Sequence, residues 1–241
     1  FDLYISMDDS KRDHSAYLDY FAQNIPVEKS VVYQVYLSGS SQVLDYVNSH
    51  VTYYNYSYEQ DPVLRCSDYD ALRSIAGYPP VELKKDQYLI HCMTYLEDAL
   101  KEYRKPLVLG ETELAPGNIY TEHLAQGGWN TNGRGYILVV PDEAAEGLSI
   151  HHRTYAAKTL RPVSQDQYEA MTYLHNEIVD WTEPQDYITT KAREEAEVAS
   201  QTALTIFPLY YLALALTMTA AAILTIQQLS ESAHYKHQFL L

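Results

Sequence analysis

Along most of its length the chain alternates short apolar runs with polar and charged stretches, but Val198 to Ser230 passes 33 residues without one Asp, Glu, Lys or Arg. The centre of that stretch, TIFPLYYLALALTMTAAAILTI from Thr205 to Ile226, holds 22 residues. At a rise of about 1.5 Å per residue it reaches roughly 33 Å, enough for a hydrocarbon core of about 30 Å. The pattern therefore predicts a membrane span. Its place late in the chain excludes a signal peptide, and the mean hydropathy of the whole chain, -0.31, shows that the apolar character is local.

Before the span, helical and strand periodicities alternate. Asp2 to Ser6 reads as extended, and Ser10 is placed to cap a helix that runs to about Asn24 and ends at Pro26. SVVYQVYLS, Ser30 to Ser38, alternates as a half-buried strand does, and Gly39-Ser40 opens a helix over Gln42 to Ser49. VTYYNYSY, if extended, sets Tyr54, Tyr56 and Tyr58 on one face. Strand VLRC leads to Ser67, an expected N-cap with Asp70 three residues on, and that helix stops at Gly77 before Pro79-Pro80. QYLIHC is a strand, and TYLEDALKEY a helix with Glu97 and Lys101 at i,i+4. Glycine-rich turns lead to the apolar strand YILVV, after which Asp142 is expected to cap a short helix. IHHRTYAAKT is a further strand, and Ser164 with Gln167 forms a capping box for a helix to about Thr182.

Pro184 suits the first turn of a last helix, and from there Pro208 is the one Pro or Gly up to Leu241. The expected division is an α+β domain over 1–182, a helical stalk over 183–202, a transmembrane helix over 203–228 and a helical extension over 229–241. Within the span, Ala213, Thr217 and Ala221 recur every four residues, a small-residue face on which another helix can pack. Tyr210 and Tyr211 suit an interfacial aromatic belt.

Charge narrows the function classes. A net charge of -15 with a pI near 4.9, and no Lys/Arg cluster, argue against a nucleic-acid partner. Lys191 and Arg193 lie before the span among Glu194, Glu195 and Glu197, and Lys236 lies after it, so charge alone leaves the orientation open. Phe1 is not an initiator, and the chain reads as a segment of a longer protein. Cys66 and Cys92 lack metal-ligand spacing, and a single disulfide or two free strand thiols both remain open.

Catalytic signatures are missing. The chain has no H-E-x-x-H, C-x-x-C or G-x-S-x-G, and no G-x-x-x-x-G-K-[ST] loop that would hold a nucleotide phosphate. His151 and His152 are adjacent, which on a regular strand sends them to opposite faces, one buried and one exposed. His234 and His237 share a helix face, but no further ligands accompany them. The aromatic content is mostly tyrosine, 24 against 4 Phe and 2 Trp. Tyr54, Tyr56 and Tyr58, with Trp129 in its Gly-rich loop, are accordingly candidate ligand- or partner-contact residues.

Four phrases carry a family resemblance: SDYDALRSIAGYPPVELKKDQYLIHC (Ser67 to Cys92), LVLGETEL (Leu107 to Leu114), GYILVVPDEAAEGL (Gly135 to Leu148) and ILTIQQLSESAHYKHQFLL (Ile223 to Leu241). In this order, the first three before the span and the fourth at its end, they resemble the extracellular domain and next transmembrane helix of FtsX-family ABC transporter permeases, in the bacitracin- and lantibiotic-resistance (Bce-type) branch. The resemblance implies an α+β extracellular domain followed by a long C-terminal helix that becomes a transmembrane span, in a bacterial cell membrane, with Gln227 onward cytoplasmic. It implies no catalysis and no cofactor in this chain, ATP being bound by a separate ABC ATPase subunit. Other implied partners are further spans of the same permease, a membrane histidine kinase, and a peptide antibiotic or its cell-wall lipid complex. Lipoprotein export and control of cell-wall hydrolases use similar architecture, and a tail-anchored surface receptor or adhesin is the alternative of another class.

Overall fold

The computed structural model describes residues 2–8, 15–51, 60–124, 135–178 and 187–238. They fall into two units, Phe1–Ala192 and Arg193–Leu241. In the first unit the strands are β1 (Leu3–Asp8), β2 (Val27–Leu37), β3 (Pro62–Arg65), β4 (Gln87–Cys92), β5 (Leu107–Leu109), β6 (Thr112–Tyr120), β7 (Tyr136–Val140), β8 (Ser149–Thr159) and β9 (Tyr187–Thr190). Its helices are α1 (Ser15–Asn24), α2 (Gln42–His50), α3 (Cys66–Ala76), α4 (Glu97–Glu102) and α5 (Gln165–Ile178). The strands form one mixed sheet in the order β5-β6-β4-β7-β3-β2-β8-β1-β9. β3 runs parallel to β7 and β4 parallel to β6, while the other neighbouring pairs are antiparallel.

The apolar pattern explains why helices cover this sheet on both faces. Every residue of β7, YILVV, is buried, as expected for a strand with no solvent-facing side. Ile137 and Val139 join Leu89, Tyr69 and Leu72 in a cluster under α3. Tyr136, Leu138 and Val140 join Tyr88, Ile90 and Cys92 in a second cluster with Val43 and Val47 of α2 and Leu100 of α4. Successive strand residues thus feed opposite faces, as period-2 geometry requires. A third cluster, Leu3, Phe21, Ile25, Tyr155, Ala157, Met171 and Ile188, seats α1 and α5 toward the β9 edge.

Local signals set several boundaries as read from the sequence. Gly77 is left-handed with φ 86, and the N–H of Tyr78 returns to the carbonyl of Arg73 at 2.9 Å, the helix stop that glycine permits. In the Ser164–Gln167 box the N–H of Ser164 donates to Oε1 of Gln167 at 2.9 Å and the N–H of Gln167 to Oγ of Ser164 at 3.3 Å. Glu97 and Lys101 pair at 2.6 Å.

Other boundaries are set from a distance. α3 starts at Cys66 with Arg65 as its N-cap, so Ser67 lies inside the first turn and does not cap it. Oδ1 of Asp142 instead receives the N–H of Ser67 at 3.1 Å, because the parallel β3 and β7 deliver their C-terminal ends side by side. Asp142 is itself the first residue of a 3₁₀ turn whose N-cap is Pro141. Asp70, three residues after Ser67, accepts from the N–H of Val81 at 2.8 Å and so anchors the loop after α3. At α2, Asp61 receives the N–H groups of Val43 and Leu44 at 3.0 and 2.8 Å, and the Tyr136 hydroxyl at 2.6 Å. Burial raises the pKa of this carboxyl, and the three donors offset part of that rise.

Both cysteines are free thiols, and Cys66 opens a helix where a strand end was expected. Burial, the largest cause, pushes the Cys66 thiol up to about 11 and the Cys92 thiol up to about 12. Neither has the thiolate character that nucleophilic chemistry needs.

The stalk also begins later than the pattern indicates. Tyr187–Thr190 is strand β9, paired with β1, so the sheet extends past residue 182 and the last helix starts at Lys191. The alternation of Tyr187, Ile188, Thr189 and Thr190 served a strand that the nearby Pro184 had masked.

That helix, α6 (Lys191–Gln238), supplies the described residues of the second unit from Arg193 on; it has 48 residues with Pro208 inside it, or about 72 Å at 1.5 Å per residue. Its stretch Lys191–Ser232 is long and apolar enough to cross a membrane. The chain is thus an α+β domain followed by a long apolar C-terminal helix.

Candidate functional site

Three arrangements carry chemistry or connection. The first is the knot at the edge of the sheet where the chain enters α6. Asp2 makes three bonds there: its N–H donates to Ala157 O at 2.9 Å, its Oδ2 accepts from the N–H of Thr159 at 3.0 Å, and its carbonyl accepts from the N–H of Lys191 at 3.1 Å. The register of β1 against both β8 and β9 sets Leu3 opposite Ala157 on one side and Thr190 on the other. Both ends of the domain therefore lie together, and no loop separates the last strand from the helix.

The second arrangement is a buried polar cluster beneath α3. The Arg73 side chain is 3% exposed and lies over three tyrosine rings, with Cζ 5.5 Å from Tyr69, 5.4 Å from Tyr78 and 5.0 Å from Tyr120. Its Nε donates to Pro79 O at 2.7 Å and its Nη2 to Oε1 of Glu122 at 3.1 Å. Nη1 reaches the Tyr69 hydroxyl at 3.4 Å, and that hydroxyl lies 2.7 Å from Nδ1 of His91. A hydroxyl that accepts from Arg73 donates its own proton onward, so His91 accepts at Nδ1 and carries its hydrogen on Nε2. Nε2 is buried and meets no partner among the described residues. Burial, with a contribution from Arg73, lowers the His91 pKa to about 4, so the ring is neutral at physiological pH.

The network lashes the loop after α3 and the end of β6 to one helix, by cation–π contacts and a charge-assisted bond. Among the described residues its polar atoms are largely spent on one another, which makes it a latch. Sequence reading did not single out Arg73, Glu122, Tyr69 or His91. A signal was available, since Arg73 falls in phase with Tyr69 and Leu72 on the buried face of α3, where a cation requires a partner.

The third arrangement is on β8. The register with β2 skips His151 between Val35↔His152 and Tyr36↔Ile150, a β-bulge. The bulge cancels the expected divergence of the two histidines, and their Nδ1 atoms stand 2.7 Å apart. His152 is wholly buried, and His151 is partly exposed. Burial, followed by repulsion from His151, depresses the His152 pKa to about 3.

Tyr54, Tyr56, Tyr58 and Trp129 lie outside the described residues. Ala213, Thr217 and Ala221 follow one another along α6, but the Thr217 hydroxyl donates to Ala213 O at 2.8 Å, so it is turned onto its own helix. His234 and His237 are in α6, with side chains outside the described set. Among the described residues no three His, Cys, Asp or Glu side chains gather closely enough to hold a metal ion.

Comparison with known proteins adds little. No family model matches the chain, and no curated protein matches it. Among solved structures, a 1.5 Å crystal structure of a candidate lipoprotein from Bacillus anthracis aligns with 71% of this chain and 90% of its own, with a TM-score of 0.38 and 7% identity. That likeness carries no functional argument.

Proposed function

We propose that the chain is the extracellular domain and following span of an FtsX-type ABC transporter permease, set in a bacterial cell membrane. In this reading the domain engages a peptide antibiotic or its cell-wall lipid complex outside, and a separate ATPase subunit acts inside. The observation that carries the reading is the meeting of Asp2 and Lys191 at 3.1 Å. A domain inserted between two consecutive spans has to receive and return the chain at one place, and the pairing of β1 with β9, which passes directly into α6, suits such an insertion.

The family resemblance of the sequence phrases supports the same reading. The buried network around Arg73 is a structural latch in this scheme, holding loops on a domain that transmits force and performs no chemistry.

The test is purification of the full-length protein from gently solubilised membranes, with mass spectrometry of what accompanies it. A stoichiometric ATPase is expected, and a histidine kinase beside it would assign the complex to antibiotic sensing. Recovery of the protein alone, under conditions that keep a control transporter whole, would overturn the permease reading in favour of a tail-anchored receptor or adhesin.

A further inference from the structure

We propose that the domain binds one ordered water molecule in its interior, between His152 and Thr154 of β8, where it bridges the imidazole Nε2 to the hydroxyl. The site belongs to the domain itself and stands whether or not the chain is part of a permease.

β8 lies between β2 and β1, which sets His152 between Val35 and Asp8, and Thr154 between Tyr33 and Ser6. Residues two apart on a strand share a face, and both of these are 0% exposed. Their neighbours on that face, Tyr33, Val35 and Ala156, belong to the apolar cluster under α3. Nε2 of His152 and Oγ1 of Thr154 are nevertheless enclosed without a hydrogen-bond partner among the described residues. Two bare polar atoms on one strand face would each carry the full penalty of lost hydration, a state that folded proteins rarely tolerate.

Spacing and chemistry together select water. Positions two apart along a strand are separated by about 6.6–6.8 Å, too far for side chains standing side by side to bond directly. Two hydrogen bonds of about 2.8 Å that meet at one oxygen cover such a gap. His152 turns its Nδ1 to Nδ1 of His151 at 2.7 Å, so Nε2 lies on the far side of the ring. That contact needs one donor and one acceptor but does not fix which ring holds the hydrogen, so Nε2 donates in one tautomer and accepts in the other. Water serves both tautomers and the hydroxyl as well. A metal ion would find one imidazole nitrogen and one hydroxyl, short of a coordination set. A single enclosed water does not replace bulk hydration, in keeping with the depressed pKa of His152.

The test uses the full chain in detergent. In a crystal structure at a resolution that shows ordered solvent, an oxygen peak is expected within about 3.2 Å of both Nε2 of His152 and Oγ1 of Thr154. Thr154→Val keeps the side-chain shape and removes the hydroxyl, and amide exchange along β8 is expected to quicken about tenfold as the bridge is lost. His152→Leu is expected to add less on the Thr154→Val background than it does alone, because both changes remove the same bridge. A dry pair predicts the reverse, no peak and exchange that is unchanged or slower in Thr154→Val, and would overturn the proposal. A peak that touches only one of the two atoms, or strictly additive variants, would overturn the bridge, and anomalous scattering from the peak would replace water with a metal. Should Thr154→Val fail to fold, the density in the parent protein decides the question.

Discussion

The backbone N–H of Lys191 donates to the carbonyl oxygen of Asp2 at 3.1 Å, so the residue that opens the long helix is tied to the residue that precedes the first strand. The Asp2 carboxylate extends the tie to β8 by accepting the N–H of Thr159 at 3.0 Å. Asp2→Ala removes that acceptor and leaves the backbone bonds in place. Loss of a charge-assisted bond is worth about 1.5–3 kcal/mol, so amide exchange at Thr159 and Lys191 is expected to quicken by roughly tenfold or more. Asp2→Asn, which keeps an oxygen, is expected to recover most of the protection. Equal exchange in all three proteins would show that the side chain is idle.

The Arg73 network gives a sharper stability prediction. Arg73→Ala removes a buried cation from three tyrosines and leaves the Pro79 carbonyl and Tyr69 hydroxyl without their donor. A cost of about 3 kcal/mol or more is expected. Glu122 is 34% exposed on its side chain, so solvent screens its share, and Glu122→Gln is expected to cost only about 1 kcal/mol. Chemical denaturation of the two single variants and the double variant would show coupling between the sites, since they share one hydrogen bond. Strict additivity would mean that the ion pair adds nothing beyond packing.

What was legible in the sequence was mostly local. Gly77, the Ser164–Gln167 box, the Glu97–Lys101 pair and strand YILVV each declare themselves within a few residues, and each is found in place. The caps of α2 and α3 were not legible, because Asp61 and Asp142 reach them from 17 or more residues away and nearer Ser residues offered plausible substitutes. The His151 bulge was equally hidden, since only the register with β2 reveals that one residue of β8 has no opposite number. β9 was missed because Pro184 suggests a helix start, and a four-residue edge strand gives too short a pattern to compete with it. For the candidate site, the sequence located the apolar helix and missed the buried Arg73 cluster, whose members come from α3, β4 and the end of β6.

Two of the buried histidines, His91 and His152, make stability pH-dependent. His91 and His152 have folded pKa values of about 4 and about 3, below the unfolded value of about 6.5. Their contribution is complete above the unfolded pKa and is lost as pH falls toward the folded ones, at up to about 1.4 kcal/mol per pH unit for each. Asp68 acts in the opposite sense: burial, the largest cause, raises its carboxyl to about 6, so the folded state takes up that proton first and gains stability as pH falls through this range. The informative quantity is therefore a difference. His152→Leu is expected to flatten the urea midpoint between pH 6.5 and 4.5 relative to the parent protein, by about one histidine's worth of slope. Parallel curves would mean that His152 is solvated or already charged in the fold.

If the domain transmits movement through α6, the start of that helix has to resist bending, and exposed positions there can be weakened without touching the sheet. Ala196 and Ala199 are both exposed, and each Ala→Gly change in a helix interior costs about 1 kcal/mol of local helical stability. The double variant Ala196→Gly, Ala199→Gly is expected to keep the domain's denaturation midpoint, because neither side chain belongs to its core. In the permease reading the same variant is expected to leave ATP hydrolysis running while antibiotic protection falls, since motion at the inner end would be absorbed by the softened segment. A variant that retained full protection would count against α6 as the coupling element, and one that lowered the denaturation midpoint of the domain would show that the helix start supports the sheet as well.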